Sequence, residues 1–377
     1  MRAANQSKPE ELAGSKTSGR NPACWPFDIE SVEIGKETVR VSNADIWTAP
    51  FCALREFSRA NSAPHRVLVI APLAGAFAVL LRDVLVGLLR HRDVAITDWL
   101  DARHVPVGEG RFGVEENIEY VISAIRKLGP DLHVIAVCQG VVPALIGTAI
   151  LSEYDPQGAP RSLVLIAGPV DPLANPTRVV RFLRAQPLGW FKRNVIEKVP
   201  TGYRGEGRLV YPASHQLVTF LGYWGRHLAG GGELFRKTIH DDGEDPIRFP
   251  FLSLCLSLMD LPAEFFLENV RYVFHGDGLR NPELRFLNCK VDFRKIRGTA
   301  LMTVEGDRDD IAAPGQTEAA HGLCASIQPE MRSRLLIRGS GHFSLFHGDV
   351  LRRQVLPAVL DFMDAAEAVE ERQTSGA

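Results

Sequence analysis

The stretch Leu132–Gly140 reads LHVIAVCQG, and a second apolar run, VVPALIGTAI, follows it over Val141–Ile150. Five of the first six residues are of the kind that fill a buried strand, and the run after Gly140 suits a buried helix. Taken alone, Cys138 is a small side chain at a strand end, because free cysteine is among the most buried residue types. Set between a strand and a helix, it reads instead as a thiol presented on a turn. The surrounding chain decides between the two.

On either side the same rhythm recurs. RVLVIAPL (Arg66–Leu73) is a continuous apolar strand, and the helical FAVLLRDVLVGLLR (Phe77–Arg90) comes after it. DVAITDWLDA (Asp93–Ala102) predicts another strand, and GVEENIEYVISAIRKLG (Gly113–Gly129) an amphipathic helix. RSLVLIAGPVD (Arg161–Asp171) is a further strand. The alternation stops at Pro172 and resumes with GTALMTVEGDRDDIAAPG (Gly298–Gly315) and SRLLIRGSGH (Ser333–His342). A final amphipathic helix is expected over 351–368. Fully apolar strands alternating with helices predict an α/β fold, a mostly parallel sheet with helices on both faces. VEIGKETVRVS and PFCALREFS, within Phe27–Phe57 and its margin, read as antiparallel strands at a sheet edge. The expected organisation is a disordered leader over 1–25, a core made of 26–171 and 290–368, and a disordered tail over 369–377. Residues 172–289, with Trp190, Phe191, Phe220, Tyr223, Trp224, Phe265 and Phe266, are expected to form an inserted, mainly helical cap.

The chain has 377 residues, 45% of them hydrophobic, which is enough for a sizeable core. Lys and Arg number 43 against 45 Asp and Glu, a net charge of -2, and the basic residues form no block. Nucleic acid and anionic membranes call for a basic face, so neither is an expected partner. No window approaches the ~20 apolar residues of a membrane span, and the N-terminus lacks an apolar run of signal-peptide length. The cysteines at 24, 52, 138, 255, 289 and 324 are scattered without a C-x-x-C pair. That usage predicts free thiols in a reducing cytoplasm.

In open α/β sheets the chemistry lies just beyond the carboxyl ends of the strands. Cys138 follows one such strand, the cluster Asp307, Asp309 and Asp310 a second, and His342 a third. Nucleophile, acid, histidine is the chain order of the α/β-hydrolase arrangement. Ala136-Val137-Cys138-Gln139-Gly140 fits the nucleophile elbow G-x-S-x-G, with Ala for the first Gly and Cys for Ser. Small residues are needed there because bulk at either flank would strike the neighbouring strand or helix. The helix that begins at the elbow turns its positive end towards the thiol and favours thiolate. The N–H of Gln139 is one expected oxyanion donor; the second is expected from the loop after the Arg66 strand, from Leu73 or Ala74. His342, in the Gly-flanked GSGH loop, would take the thiol proton. The acid would hold the other ring N–H and fix the tautomer. The Gly306-x-x-Asp309 spacing favours Asp309, with Asp310 as competitor.

Each of these residues has a bland alternative. A cysteine at a strand end is usually core, a histidine in a Gly loop is usually a satisfied polar group, and an acid after a strand is usually a turn or helix cap. The coincidence of all three at strand ends, in this order, is what favours chemistry. HDDGED (His240–Asp245) and the pair His321 and Cys324 hold metal-ligating residue types. Neither has the partner pair of a zinc site, so a solvated loop and a helix face are expected there. The triad chemistry requires no metal and no organic cofactor.

At these residues the sequence resembles the intracellular polyhydroxyalkanoate depolymerases, the family that degrades poly(3-hydroxybutyrate) granules inside bacteria. The resemblance runs from about Pro26 to Phe362. It is carried by APLAGAFAVLLRDVL (Ala71–Leu85), TDWLDARHVP (Thr97–Pro106), HVIAVCQG (His133–Gly140), IAGPVDPLANPT (Ile166–Thr177), ALMTVEGDRDDIAAPGQTEAAHGLC (Ala300–Cys324) and GHFSLF (Gly341–Phe346). The chain departs from the family in having Ala76 after Gly75, usually His, and Gly140 two places after the nucleophile, usually Pro. The resemblance implies an α/β-hydrolase fold and a Cys138, Asp309, His342 triad. It also implies hydrolysis of polyester through an acyl-cysteine thioester, in the cytoplasm and at the granule surface, with self-association left open. Two rivals stand beside it: a synthase-like or CoA-dependent acyltransferase on the same fold, and a non-catalytic granule-binding protein.

Overall fold

The structure, a computed structural model, describes residues 26–60 and 66–375, with side chains as far as 368. The predicted leader 1–25 lies outside the described residues, as do the last two residues of the predicted tail.

Among the described residues three strands come first: β1 (Ser31–Ile34), β2 (Glu37–Ala49) and β3 (Cys52–Arg59). They pair antiparallel, and β3 joins β5 (Asp93–Trp99) antiparallel as well. From there the sheet is parallel, through β4 (Arg66–Ile70), β6 (Leu132–Val137) and β7 (Ser162–Ile166). Between these strands lie α1 (Arg82–Leu89), α2 (Val114–Leu128) and α3 (Val141–Tyr154).

The chain then leaves the sheet. It forms α4 (Arg178–Ala185), α5 (Leu188–Asn194), β8 (Glu197–Lys198), β9 (Leu209–Tyr211), α6 (Ala213–Gly230), α7 (Glu233–Ile239), α8 (Phe251–Leu256), β10 (Leu261–Pro262) and α9 (Ala263–Asn269). Strands β8, β9 and β10 make a small antiparallel sheet of their own. A hairpin of β11 (Arg285–Phe286) and β12 (Cys289–Lys290) precedes the return to the core. The predicted boundary at 289 therefore falls inside that hairpin. β13 (Ala300–Gly306) and β14 (Arg332–Ile337) complete the main sheet, with α10 (Ala320–Leu323) between them and α11 (Leu356–Ser375) last. The sheet order is β1-β2-β3-β5-β4-β6-β7-β13-β14.

The central strands are mostly apolar because both faces are covered. Residues 67–70 of β4 and all of β6, β7 and β13 are buried. Helices α2 and α3 pack on one face, α1 and α11 on the other. Helix α3 is buried on every side from Val141 to Leu151, as its unbroken apolar sequence requires. Helix α2 carries its own end signals. Glu116 accepts the Gly113 N–H at 2.6 Å, Arg126 and Lys127 lie in the last turn, and Gly129 ends the helix at φ 94°. Among the described residues no helix is long and apolar enough to cross a membrane. The last helix runs past the predicted end at Ala368 to Ser375. The AEAVEER run is made almost wholly of strong helix formers, which favours continuing the helix into the predicted tail.

Candidate active site

Cys138 stands where β6 stops. Its φ is 52°, in the left-handed region that side-chain-bearing residues rarely adopt. Cys138 opens a short 3-10 turn, Cys138–Gly140, that runs straight into α3. The strand behind it is locked: Ala136 pairs with Ile70 of β4 and with Leu165 of β7. Gly140 has an ordinary helical φ of -61°, so backbone freedom is not its contribution. A Cβ there would lie 2.7 Å from the Ile70 carbonyl oxygen and 3.2 Å from that of Ala71. The elbow thus closes directly against the end of β4, and the missing methyl is what lets it close.

That contact also sets the elbow against Ala71, where the loop Ala71–Gly75 begins. The loop is pinned at its start, where the Ala71 N–H donates to Thr97 Oγ1 at 3.0 Å and its carbonyl accepts Trp99 Nε1–H at 2.8 Å. Leu73 is buried. Gly75, at φ 111°, meets α6: a Cβ on it would lie 1.8 Å from Gln216 Oε1. Gln216 donates through Nε2 to the Met259 carbonyl at 2.9 Å. Its Oε1 is buried and has no hydrogen-bond partner.

The acidic cluster separates into different tasks. Asp309 Oδ2 lies 2.7 Å from His342 Nδ1, and its Oδ1 accepts the N–H groups of Ile311 and Ala312, each at 2.8 Å. Asp307 accepts the Gly339 N–H at 2.6 Å and so shapes the turn before the histidine. Asp310, the competitor, faces away from His342. It accepts Tyr223 Oη–H at 2.5 Å and lies 3.2 Å from His227 Nε2, both on α6. The two loops are held together by close backbone approach, since a Cβ on Gly306 would lie 2.5 Å from the Ser340 carbonyl oxygen.

His342 is buried, hydrogen-bonds to Asp309 through Nδ1, and feels Cys138 as an electrostatic neighbour. Burial alone pushes its imidazole towards the neutral form. The Asp309 carboxylate and Cys138 outweigh that, and the ring titrates well above an ordinary histidine. With Nδ1 on Asp309, Nε2 is the nitrogen that faces the thiol. Cys138 is partly exposed, unlike the fully buried Cys52 and Cys255, whose thiols burial pushes up. The structure therefore brings Cys138, His342 and Asp309 into one group of neighbours.

Three features escape sequence reasoning. Buried Glu305, in β13, accepts the N–H groups of Gly315, Thr317 and Glu318 and so fixes the far side of the Asp309 loop. A charged residue inside an apolar strand was the available signal. Gln216 and Tyr223 reach the site from α6 with no local pattern to announce them. The HDDGED segment is also not a solvated loop. Half-buried Asp241 and Asp242 gather around His347, and Lys237 donates to Asp242 at 2.8 Å. Backbone N–H groups of Gly243, Phe251 and Asp349 take up the remaining carboxylate capacity. His321 is likewise buried, 3.1 Å from Thr303 Oγ1. Of the aromatics in the inserted segment, Phe191, Tyr223, Phe249, Phe251, Phe265 and Phe286 are buried. Tyr211 stacks on Phe266 at 4.1 Å, so part of this set packs on itself.

The sheet, nine-stranded among the described residues, its two helical layers and the side chains at its strand ends define an α/β hydrolase. The chain belongs to the PHB depolymerase family: residues 167–367, over half of it, match the family described as PHB de-polymerase C-terminus. Solved structures of the same fold include a hydrolase from Pseudomonas aeruginosa PA01, 17% identical, with TM-score 0.51 over 86% of this chain and 98% of that one. The α/β hydrolase GrgF from Penicillium sp. sh18 is 14% identical, with TM-score 0.50 over 87% and 99%. A bromoperoxidase from Bacillus anthracis is 12% identical, with TM-score 0.50 over 89% and 99%. At these identities they speak for the fold alone. Comparison with curated protein sequences finds no match.

Proposed function

We propose that the protein hydrolyses ester bonds of a poly(3-hydroxybutyrate)-type polyester through an acyl-cysteine thioester. The observation that carries this reading is the Cys138 thiol on a strained turn, neighbour to a buried histidine that is itself held by Asp309 at 2.7 Å. A thiol in such a place can pass its proton to Nε2 and attack as thiolate. The Sγ–C bond forms as the carbonyl oxygen takes the negative charge, which the N–H groups of Gln139 and Leu73 receive. The ester C–O bond then breaks, and the His342 imidazolium gives its proton to the leaving 3-hydroxyl. Water attacks the thioester, His342 takes its proton, the C–S bond breaks, and the acid departs. No step draws on a metal or an organic cofactor.

Membership of the PHB depolymerase family supports the substrate class. The outer face of α6 supports contact with a polymer surface: Val218, Leu221 and Leu228, spaced on one side of the helix, are all exposed. On this reading the inserted segment is a cap over the strand ends, and the protein works at the granule in the cytoplasm.

The test is release of 3-hydroxy acid from amorphous poly(3-hydroxybutyrate), wild type beside Cys138→Ala. The expected result is loss of nearly all turnover with granule binding retained. Undiminished release would refute the thioester route, and binding without release in wild type would leave a granule-binding protein. Polymer growth from an acyl-CoA would identify a transferase instead.

A further inference from the structure

Glu233 opens α7, in the inserted segment, and is only 5% exposed, unusual for a glutamate. Its partners lie across the structure, on the loop that follows β14. Oε1 accepts the N–H of Ser344 at 2.6 Å, and Oε2 accepts that of Phe343 at 3.1 Å. These amides open the short 3-10 turn Phe343–Leu345, and the residue just before that turn is His342. On the other flank, a Cβ on Gly341 would lie 2.4 Å from the same Oε2. One carboxylate thus holds both flanks of the histidine.

A buried charge costs stability unless it is well bonded, and an apolar residue would fill this space without that cost. What an apolar residue could not do is hold two neighbouring N–H groups in one orientation. Asp309 fixes the rotation of the imidazole ring through Nδ1, but it does not fix the backbone from which the ring hangs. Glu233 supplies that second constraint from a different part of the chain, 110 residues away from Phe343 in sequence.

We propose that Glu233 is a positioning residue: it clamps the His342 loop from the inserted segment and so sets the imidazole against Cys138. The inference rests on the reading of Cys138 and His342 as nucleophile and base. Glu233 touches no reacting atom. Its effect is on the alignment of the base, and a displacement of about 1 Å there is worth up to about 100-fold in rate.

Glu233→Gln keeps the shape but offers an NH₂ group where one backbone N–H needs an acceptor. Gly341→Ala leaves Glu233 in place and drives a methyl into its carboxylate. Each variant is compared with wild type in three ways: melting temperature, kcat and KM on a soluble 3-hydroxybutyrate aryl ester, and the rate of Cys138 alkylation by iodoacetamide, followed by peptide mapping. For folded variants the expected result is a kcat loss of roughly 10- to 100-fold with KM little changed, and slower alkylation in parallel. A merely structural role would lower the melting temperature and leave kcat and alkylation at wild-type values below it, and that outcome overturns the proposal. Should Glu233→Gln fail to fold, Gly341→Ala decides by the same measurements. If wild-type Cys138 itself alkylates no faster than an ordinary exposed thiol and the ester is not cleaved, the nucleophile reading fails and this inference falls with it. Fast alkylation in wild type that neither variant slows sinks the Glu233 proposal alone.

Discussion

Two adjacent carboxylates give the sharpest test of the site. Asp309 accepts from His342 Nδ1 at 2.7 Å and from the Ile311 and Ala312 N–H groups at 2.8 Å, so the fold presents it with donors only. Asp309→Asn must place one NH₂ among those donors. The pair of backbone amides outnumbers the ring, so the amide oxygen turns to them and the NH₂ faces His342. Nδ1 then becomes the acceptor, the ring proton moves to Nε2, and Nε2 can no longer take the thiol proton. The expected loss in kcat is about 1,000- to 10,000-fold, or roughly 4 to 5.5 kcal/mol of barrier. Asp310→Asn is the control one residue away. Asp310 holds Tyr223 and His227, its side chain is 51% exposed, and an amide oxygen can still accept from Tyr223 Oη–H. Its expected effect on kcat is within roughly 3-fold, with about 1 kcal/mol or less lost in stability. The assay is hydrolysis of a soluble 3-hydroxybutyrate ester, with urea unfolding of both variants run alongside. A larger loss at Asp310 than at Asp309 would refute the assignment of the acid. Equal small losses would show that neither carboxylate orients the base.

Gly140→Ala should lower stability by about 1–3 kcal/mol, because its methyl meets the Ile70 carbonyl at 2.7 Å; urea unfolding measures this, and an unchanged midpoint would contradict the tight elbow. Tyr223→Phe removes the bond from α6 to Asp310 and should cost about 1 kcal/mol, with hydrolysis of the soluble ester nearly intact. Stability should also fall with pH on the acid side. His133, His321 and His347 are held down to about 4, chiefly by burial, against 6.5 when unfolded. Their depressed values mean that the unfolded chain takes up the protons first. The stabilisation is complete above pH 6.5 and is lost towards pH 4, at about 1.4 kcal/mol per pH unit for each histidine, and equal urea midpoints at pH 7 and pH 5 would contradict it.

The apolar runs of β4, β6, β7 and β13 were legible because a parallel strand covered on both faces has no alternating polar face to disguise it. The elbow was legible for a related reason: a turn this tight leaves few residue types at its flanks, and Gly140 is one of the few that fit. What distinguished Asp309 from Asp310 was spacing alone, and the contacts that separate them lie far along the chain. His342 is 33 residues from Asp309, and Tyr223 is 87 from Asp310. Such pairs leave no periodicity. The same limit hid Glu233 and Gln216, which reach the His342 loop and the Gly75 loop from α7 and α6. These two helices carry no chemistry-bearing motif, yet between them they touch every loop that bears a candidate residue after β4, β13 and β14. The inserted segment, whose α6 face is proposed above to meet a polymer surface, is thus also bonded to the loops that carry Asp309 and His342. Changes of sequence in it should therefore alter rate as well as substrate contact.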